Sequence, residues 1–177
     1  EIAIAIKECM MHENLFGVLV SHGSSTVPKY IVDEINALGG NIQNAYGISI
    51  DELKAAIPCG IGKINVDTDI RLAVTRNMKE FFKNNPSKRD SASIGGVYQL
   101  LEEKKDQFDP RAFLPPIMDT VMYGTIKDDD TAALVEVIEK GVKEAIGTLI
   151  VEFGSFGKAP LVEQVSLEEM IERYKKM

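Results

Sequence analysis

His22 stands in the run VLVSHGSSTVP, from Val18 to Pro28, directly ahead of Gly23, Ser24 and Ser25. An imidazole can ligate a metal or carry a proton, and small residues let backbone amides come close to a ligand. Val18, Leu19 and Val20 read as a short buried strand, and Pro28 suits the first position of a helix. A strand that runs into His-Gly-Ser-Ser and then a helix start offers one metal-binding imidazole beside an anion site. The chemistry this suggests is metal plus phosphate. A second polar group, Asn65-Val66-Asp67-Thr68-Asp69, also follows an apolar run. Asp67 or Thr68 is expected to cap the next helix, and capping is compatible with phosphate contact at one helix start.

Other reactive side chains read more simply. Cys9 and His12 have chelate spacing on a helix, but the strand that separates His12 from His22 spans roughly 20 Å at about 3.3 Å per residue, so His12 is expected at a helix end or on the surface. Gly60-Ile61-Gly62-Lys63 enters a strand, and Ile64 stands where a P-loop needs Ser or Thr. Arg71 and Arg111 read as solvated charges from local sequence alone. Asp128, Asp129 and Asp130 read as an acidic helix cap, and nothing assembles a nucleophilic triad. With no CxxC pair, Cys9 and Cys59 are expected to be buried thiols.

The elements that must hold these groups follow from periodicity and punctuation. Residues 1 to about 14 read as an amphipathic helix with Ile2, Ala5, Ile6, Cys9 and Met10 on its apolar side. A helix from Pro28 ends at Gly39-Gly40; another opens with the capping box Ser49-Ile50-Asp51-Glu52 and stops at Pro58. Ile61 to Val66 reads as the second strand, and the next helix, Ile70 to about Asn84, carries Ala73, Val74, Met78, Phe81 and Phe82 on its apolar side. Parallel strands with helical crossovers gather ligands at their carboxyl ends, where both polar clusters lie. Residues 84 to 96 read as loop, 97 to 105 as a short helix, and the prolines near 110 and 115 as interruptions, so this segment is expected to be surface decoration. A long helix capped by Asp128 runs to about Phe153, and a last one opens at Ser166-Leu167-Glu168-Glu169.

The chain has 177 residues, 45% of them hydrophobic and 27% charged, which is enough for one core. Its formal charge of −7 argues against nucleic acid and anionic membrane surfaces as partners. No apolar run is long enough to span a membrane, and the N-terminal residues are unlike a signal peptide; a cytoplasmic location is expected.

Taken together, HGSSTVPKYIVDEINALGG, AYGISIDELKAAIPCGIGKINVDTDIRLAVT, FDPRAFLPP and FGSFGKAPLVEQVSLEEMIERY resemble the class II, metal-dependent fructose-bisphosphate aldolases. The resemblance implies an α/β fold, the C-terminal part of a (β/α)8 TIM barrel: the last two strands with their helices in residues 1–84, an insertion-rich connection in 85–130, and additional C-terminal helices in 131–177. In such barrels phosphate is commonly held after strands 7 and 8. By the same resemblance, His22 is one of three histidines on a catalytic divalent metal, usually zinc. Gly23 and Ser25 would bind the ketose phosphate and help hold a monovalent cation. Asp67 and Thr68 would complete that phosphate site, Asn65 would hydrogen-bond the enediolate, and Arg71 and Arg111 would reach the far phosphate, in part of the family across a dimer interface. The implied reaction is reversible cleavage of a ketose bisphosphate to dihydroxyacetone phosphate and an aldehyde phosphate. The metal would serve as Lewis acid, and the complete enzyme would be a homo-oligomer. The other metal histidines and the acid/base aspartate would lie in an N-terminal barrel portion. A catalytic zinc wants three protein ligands, and this chain supplies one. The alternative expectation is a noncatalytic sugar-phosphate-binding or interaction module derived from the barrel.

Overall fold

The computed structural model describes residues 1–14 and 17–176. Helix α1 (Ile2–His12) leads to strand β1 (Leu19–Ser21), then helices α2 (Lys29–Ala37) and α3 (Ile50–Ala56), strand β2 (Ile61–Ile64) and helix α4 (Thr68–Asn84). Helices α5 (Gly95–Glu103), α6 (Met118–Tyr123), α7 (Asp129–Glu152) and α8 (Leu167–Lys175) follow. The structure is thus mostly helical with a small parallel sheet. Its two strands pair with Ser21 opposite Ile64, so both carboxyl ends lie at one edge.

The start and stop signals hold where their chemistry is local. Ser49 and Glu52 form the full reciprocal capping box of α3. Asp128 caps α7 by accepting from Thr131 N and Thr131 Oγ1 at 2.8 and 2.7 Å. Gly154, at φ +70°, follows the end of that helix. Pro28 takes the cap position of α2, one residue before the helix proper, and β2 ends at Ile64, two residues short of the expected Val66.

Three expectations are corrected. The strand residues are not buried: Val18 is 72% and Val20 43% exposed, because two strands alone leave a sheet face uncovered. Helix α1 buries no residue, so Cys9 is exposed, and Cys59 is only partly covered. The segment after residue 84 is core rather than decoration. Ile94, Val97, Leu101, Phe113, Leu114 and Ile117 are all buried, and they pack on Val74, Met78, Phe82 and Leu134. Its prolines open 3-10 turns that bring apolar side chains inward, so loop-like composition there accompanies burial.

Helices α4 and α7 pack closely enough to exclude a side chain at Gly141. A Cβ on that residue would lie 2.9 Å from Val74 Cα and 3.0 Å from Val74 N, and backbone atoms cannot step aside. Gly141→Ala gains about 1 kcal/mol of helix propensity but overpacks the contact by roughly 1–3 kcal/mol, so net destabilisation is expected. Gly147, on the same helix, has no atom within 4 Å of an added Cβ; Gly147→Ala should instead stabilise. Urea unfolding midpoints of the two variants should therefore move in opposite directions.

Candidate functional site

The HGSST loop leaves β1 and lies against the segment leaving β2. Ser21 O accepts from Asn65 N at 2.9 Å, and Asn65 O accepts from Ser24 N at 3.3 Å, carrying the strand pairing one step beyond the sheet. Ser24 is fully buried, and its hydroxyl meets Ser21 Oγ at 2.5 Å. Gly23, at φ +64°, takes the left-handed conformation that turns the loop.

This arrangement puts His22 beside Asn65, with Nδ1 2.9 Å from Asn65 Nδ2. Turned so that its Oδ1 accepts from Nδ1–H, the Asn65 amide leaves the Nε2 lone pair open to a metal. Among the described residues, His22 is the candidate ligand at this place. Among the described residues no group of three His, Cys, Asp or Glu side chains converges on a metal position. The residues present therefore do not by themselves fit a catalytic zinc. His12 lies at the end of α1 with its side chain 83% exposed, as expected.

The start of α4 is capped, but by neither residue expected to do so. Ser25 Oγ accepts from Asp67 N at 3.1 Å and from Thr68 N at 3.0 Å. The Asp67 carboxylate turns instead to Arg71, whose Nε donates to it at 2.9 Å. Ser25, Asp67 and Thr68 thus come together around a helix N-terminus, a favourable place for an anion.

Arg71 and Arg111 are not free solvated charges. Arg71 Nη1 donates to Asp109 at 2.7 Å, and Arg111 Nε donates to both oxygens of the same carboxylate at 3.0 Å. Thr75 Oγ1 donates to Phe108 O at 2.8 Å and anchors this segment to α4. The Arg111 hydrogen bond, its backbone N–H and the charge of Arg71 hold the Asp109 carboxyl below the usual carboxylate range, although burial opposes them. A depressed carboxylate adds stability above its unfolded pKa, about 3.9, and that contribution is lost as pH falls through the folded value. The difference in melting temperature between the natural protein and Asp109→Asn should accordingly be constant from neutral pH down to about 5 and shrink below about 4.

A cleft of about 930 Å³ opens between α2, the 42–50 segment, α4 and α7. Thr26, Asp69 and Arg76 lie in its wall; His22 and Asn65 do not.

A family model for fructose-bisphosphate aldolase class-II matches residues 3–158. The chain belongs to the class II fructose-bisphosphate aldolase family. It is 34% identical over 176 residues to the fructose-bisphosphate aldolase of Giardia intestinalis, a match that covers 99% of this chain and 42% of that protein. The fructose-bisphosphate aldolase of a Nostoc species is 32% identical over 158 residues, 89% of this chain and 33% of the relative. That of Xanthobacter flavus is 31% identical over 156 residues, again 33% of its length. The chain therefore spans about a third of most of the aldolases it matches.

Within the aldolase frame, sequence reasoning named the motifs that contain two organising residues but gave neither residue a role. Asp69 is buried and binds Thr26, 43 positions earlier. Asp109 gathers two arginines from separate segments. The Thr26–Asp69 and Arg71–Asp109 contacts are long-range and have no local pattern, whereas Arg111 lies only two positions from Asp109. No helix among the described residues is long and apolar enough to cross a membrane.

Proposed function

We propose that this chain is the C-terminal part of a class II aldolase that cleaves fructose 1,6-bisphosphate reversibly to dihydroxyacetone phosphate and glyceraldehyde 3-phosphate. The observation that carries the reading is the meeting of two loops at one sheet edge: His22 against Asn65, and Ser25 against the first amides of α4. In this reading β1 and β2 are the last two strands of a (β/α)8 barrel, and the upstream strands cover the faces of Val18 and Val20. Cytoplasmic glycolysis or gluconeogenesis is the setting that accompanies this activity.

The residues divide the work. Gly23 and Ser25, with Asp67 and Thr68 backing the Ser25 hydroxyl at the start of α4, hold the phosphate of the ketose end, and Gly23 and Ser25 also serve a monovalent cation. Asn65 hydrogen-bonds the enediolate oxygen formed when the bond between C3 and C4 breaks and its electron pair moves toward C2. Arg71 and Arg111 reach the distal phosphate, in competition with Asp67 and Asp109. His22 contributes one ligand to a divalent metal, zinc in this reading, whose other ligands come from the remaining two thirds of such an aldolase. The proton acceptor for the C4 hydroxyl comes from there as well.

The test is an intact-mass measurement of the natural protein, followed by zinc analysis and an aldol cleavage assay on that species. A zinc-containing, active protein larger than 19.5 kDa is expected. A 19.5 kDa protein without zinc or activity would instead identify a noncatalytic sugar-phosphate-binding module.

A further inference from the structure

Asp69 is 4% exposed, in the first turn of α4. Among the described residues it makes no ion pair. Burying an unpaired carboxylate is costly unless hydrogen bonds compensate, and among the described residues those of the Asp69 carboxylate come from Thr26. Thr26 N–H donates to Oδ1 at 3.1 Å and to Oδ2 at 2.9 Å, and Thr26 Oγ1 donates to Oδ1. Thr26 adjoins Ser25, the residue whose hydroxyl lies on the Asp67 and Thr68 amides.

The loop needs such a hold. Val27, a β-branched residue, has φ +49°, a conformation that persists only where the surroundings over-determine it. On the other side of the loop Ile48 N donates to Ser25 O at 3.1 Å. Gly47 approaches so closely that a Cβ there would lie 2.3 Å from Thr26 O. The loop is gripped between Asp69 and the Gly47-Ile48 backbone, and Ser25 is fixed between those grips.

We infer that Asp69 is a positioning residue of the anion site: through Thr26 it sets the place of Ser25 over the α4 amides, and so the affinity of the site for a phosphate group. This inference rests on the proposed reading of that site as a phosphate site. Asp69 itself touches no substrate.

The test uses the natural, assembled protein with Asp69→Asn, and with Thr26→Val and Thr26→Ser as a second pair that leaves Asp69 in place. Inorganic phosphate is titrated and followed by 31P NMR, and kcat and KM are measured for the bisphosphate and for unphosphorylated fructose. Loss of a charge-assisted pair corresponds to roughly tenfold or more in affinity. Phosphate affinity should fall by about that factor in Asp69→Asn and in Thr26→Val, and Thr26→Ser should restore it. The bisphosphate KM should rise, with kcat and the kcat/KM for fructose little changed. An equal fall for both sugars, or phosphate affinity the same in Thr26→Val and Thr26→Ser, would overturn the inference, as would failure of the natural protein to bind phosphate. Phosphate binding with the expected variant pattern but no aldol cleavage would refute the aldolase reading and leave the role of Asp69 intact.

Discussion

His22→Ala is expected to remove metal-dependent turnover from the assembled aldolase and to lower its bound metal, while the fold stays as it is. The fold should survive because the ring makes one side-chain hydrogen bond among the described residues, with Asn65. Its backbone neighbours are held independently, by Asn65 N on Ser21 O and Ser24 N on Asn65 O. A catalytic zinc usually has three protein ligands, so losing one leaves two and an incomplete site. Zinc analysis and an aldol cleavage assay on the same sample check both halves of the expectation. Unchanged zinc and unchanged turnover would remove His22 from the metal site. Lost turnover with full zinc would assign the ring to the substrate instead.

Phe82→Ala carries the largest expected effect on stability. Phe82 is 1% exposed at the centre of the core built by α4, α5, α7 and the 110–117 segment. Its ring meets Phe81 edge-on, with centroids 5.2 Å apart at 78°, and Tyr98 at 5.4 Å. The guanidinium of Arg89 lies 5.2 Å above the Tyr98 ring. Truncation of a buried phenylalanine costs about 3–5 kcal/mol, a large part of the roughly 5–15 kcal/mol that holds a domain together. Urea unfolding followed by far-UV circular dichroism should show a much lower midpoint. A change under about 0.5 kcal/mol would mean that this core does not form as described.

These two residues were unequally legible in the sequence. His22 is marked locally, by a short apolar run before it and Gly-Ser-Ser after it. Phe82 is marked by helical period alone, and that period does not say what packs against it. Its partners come from a stretch rich in Gly, Pro and Ser, whose composition reads as loop although its apolar residues are buried. The capping residues Ser49 and Asp128 were legible because each acts within three positions of itself. The cap of α4 was not: its acceptor is Ser25, which reaches the helix only once β1 and β2 pair. The same limit hid Asp69 and Asp109. The apolar side of α1 was legible as a pattern, yet no described element covers it, so the pattern does not translate into burial here.

The Ser25 hydroxyl also bears on how an anion would be recognised at α4. Its oxygen accepts from the first two amides of α4, which leaves its own proton to donate outward, so the positive end of the helix is relayed through the hydroxyl. A phosphate meets an O–H polarised by the helix behind it. Selection at this end of a sugar phosphate would then rest on ionisation more than on shape. A dianion should be held more firmly than a monoanion, and a neutral group least.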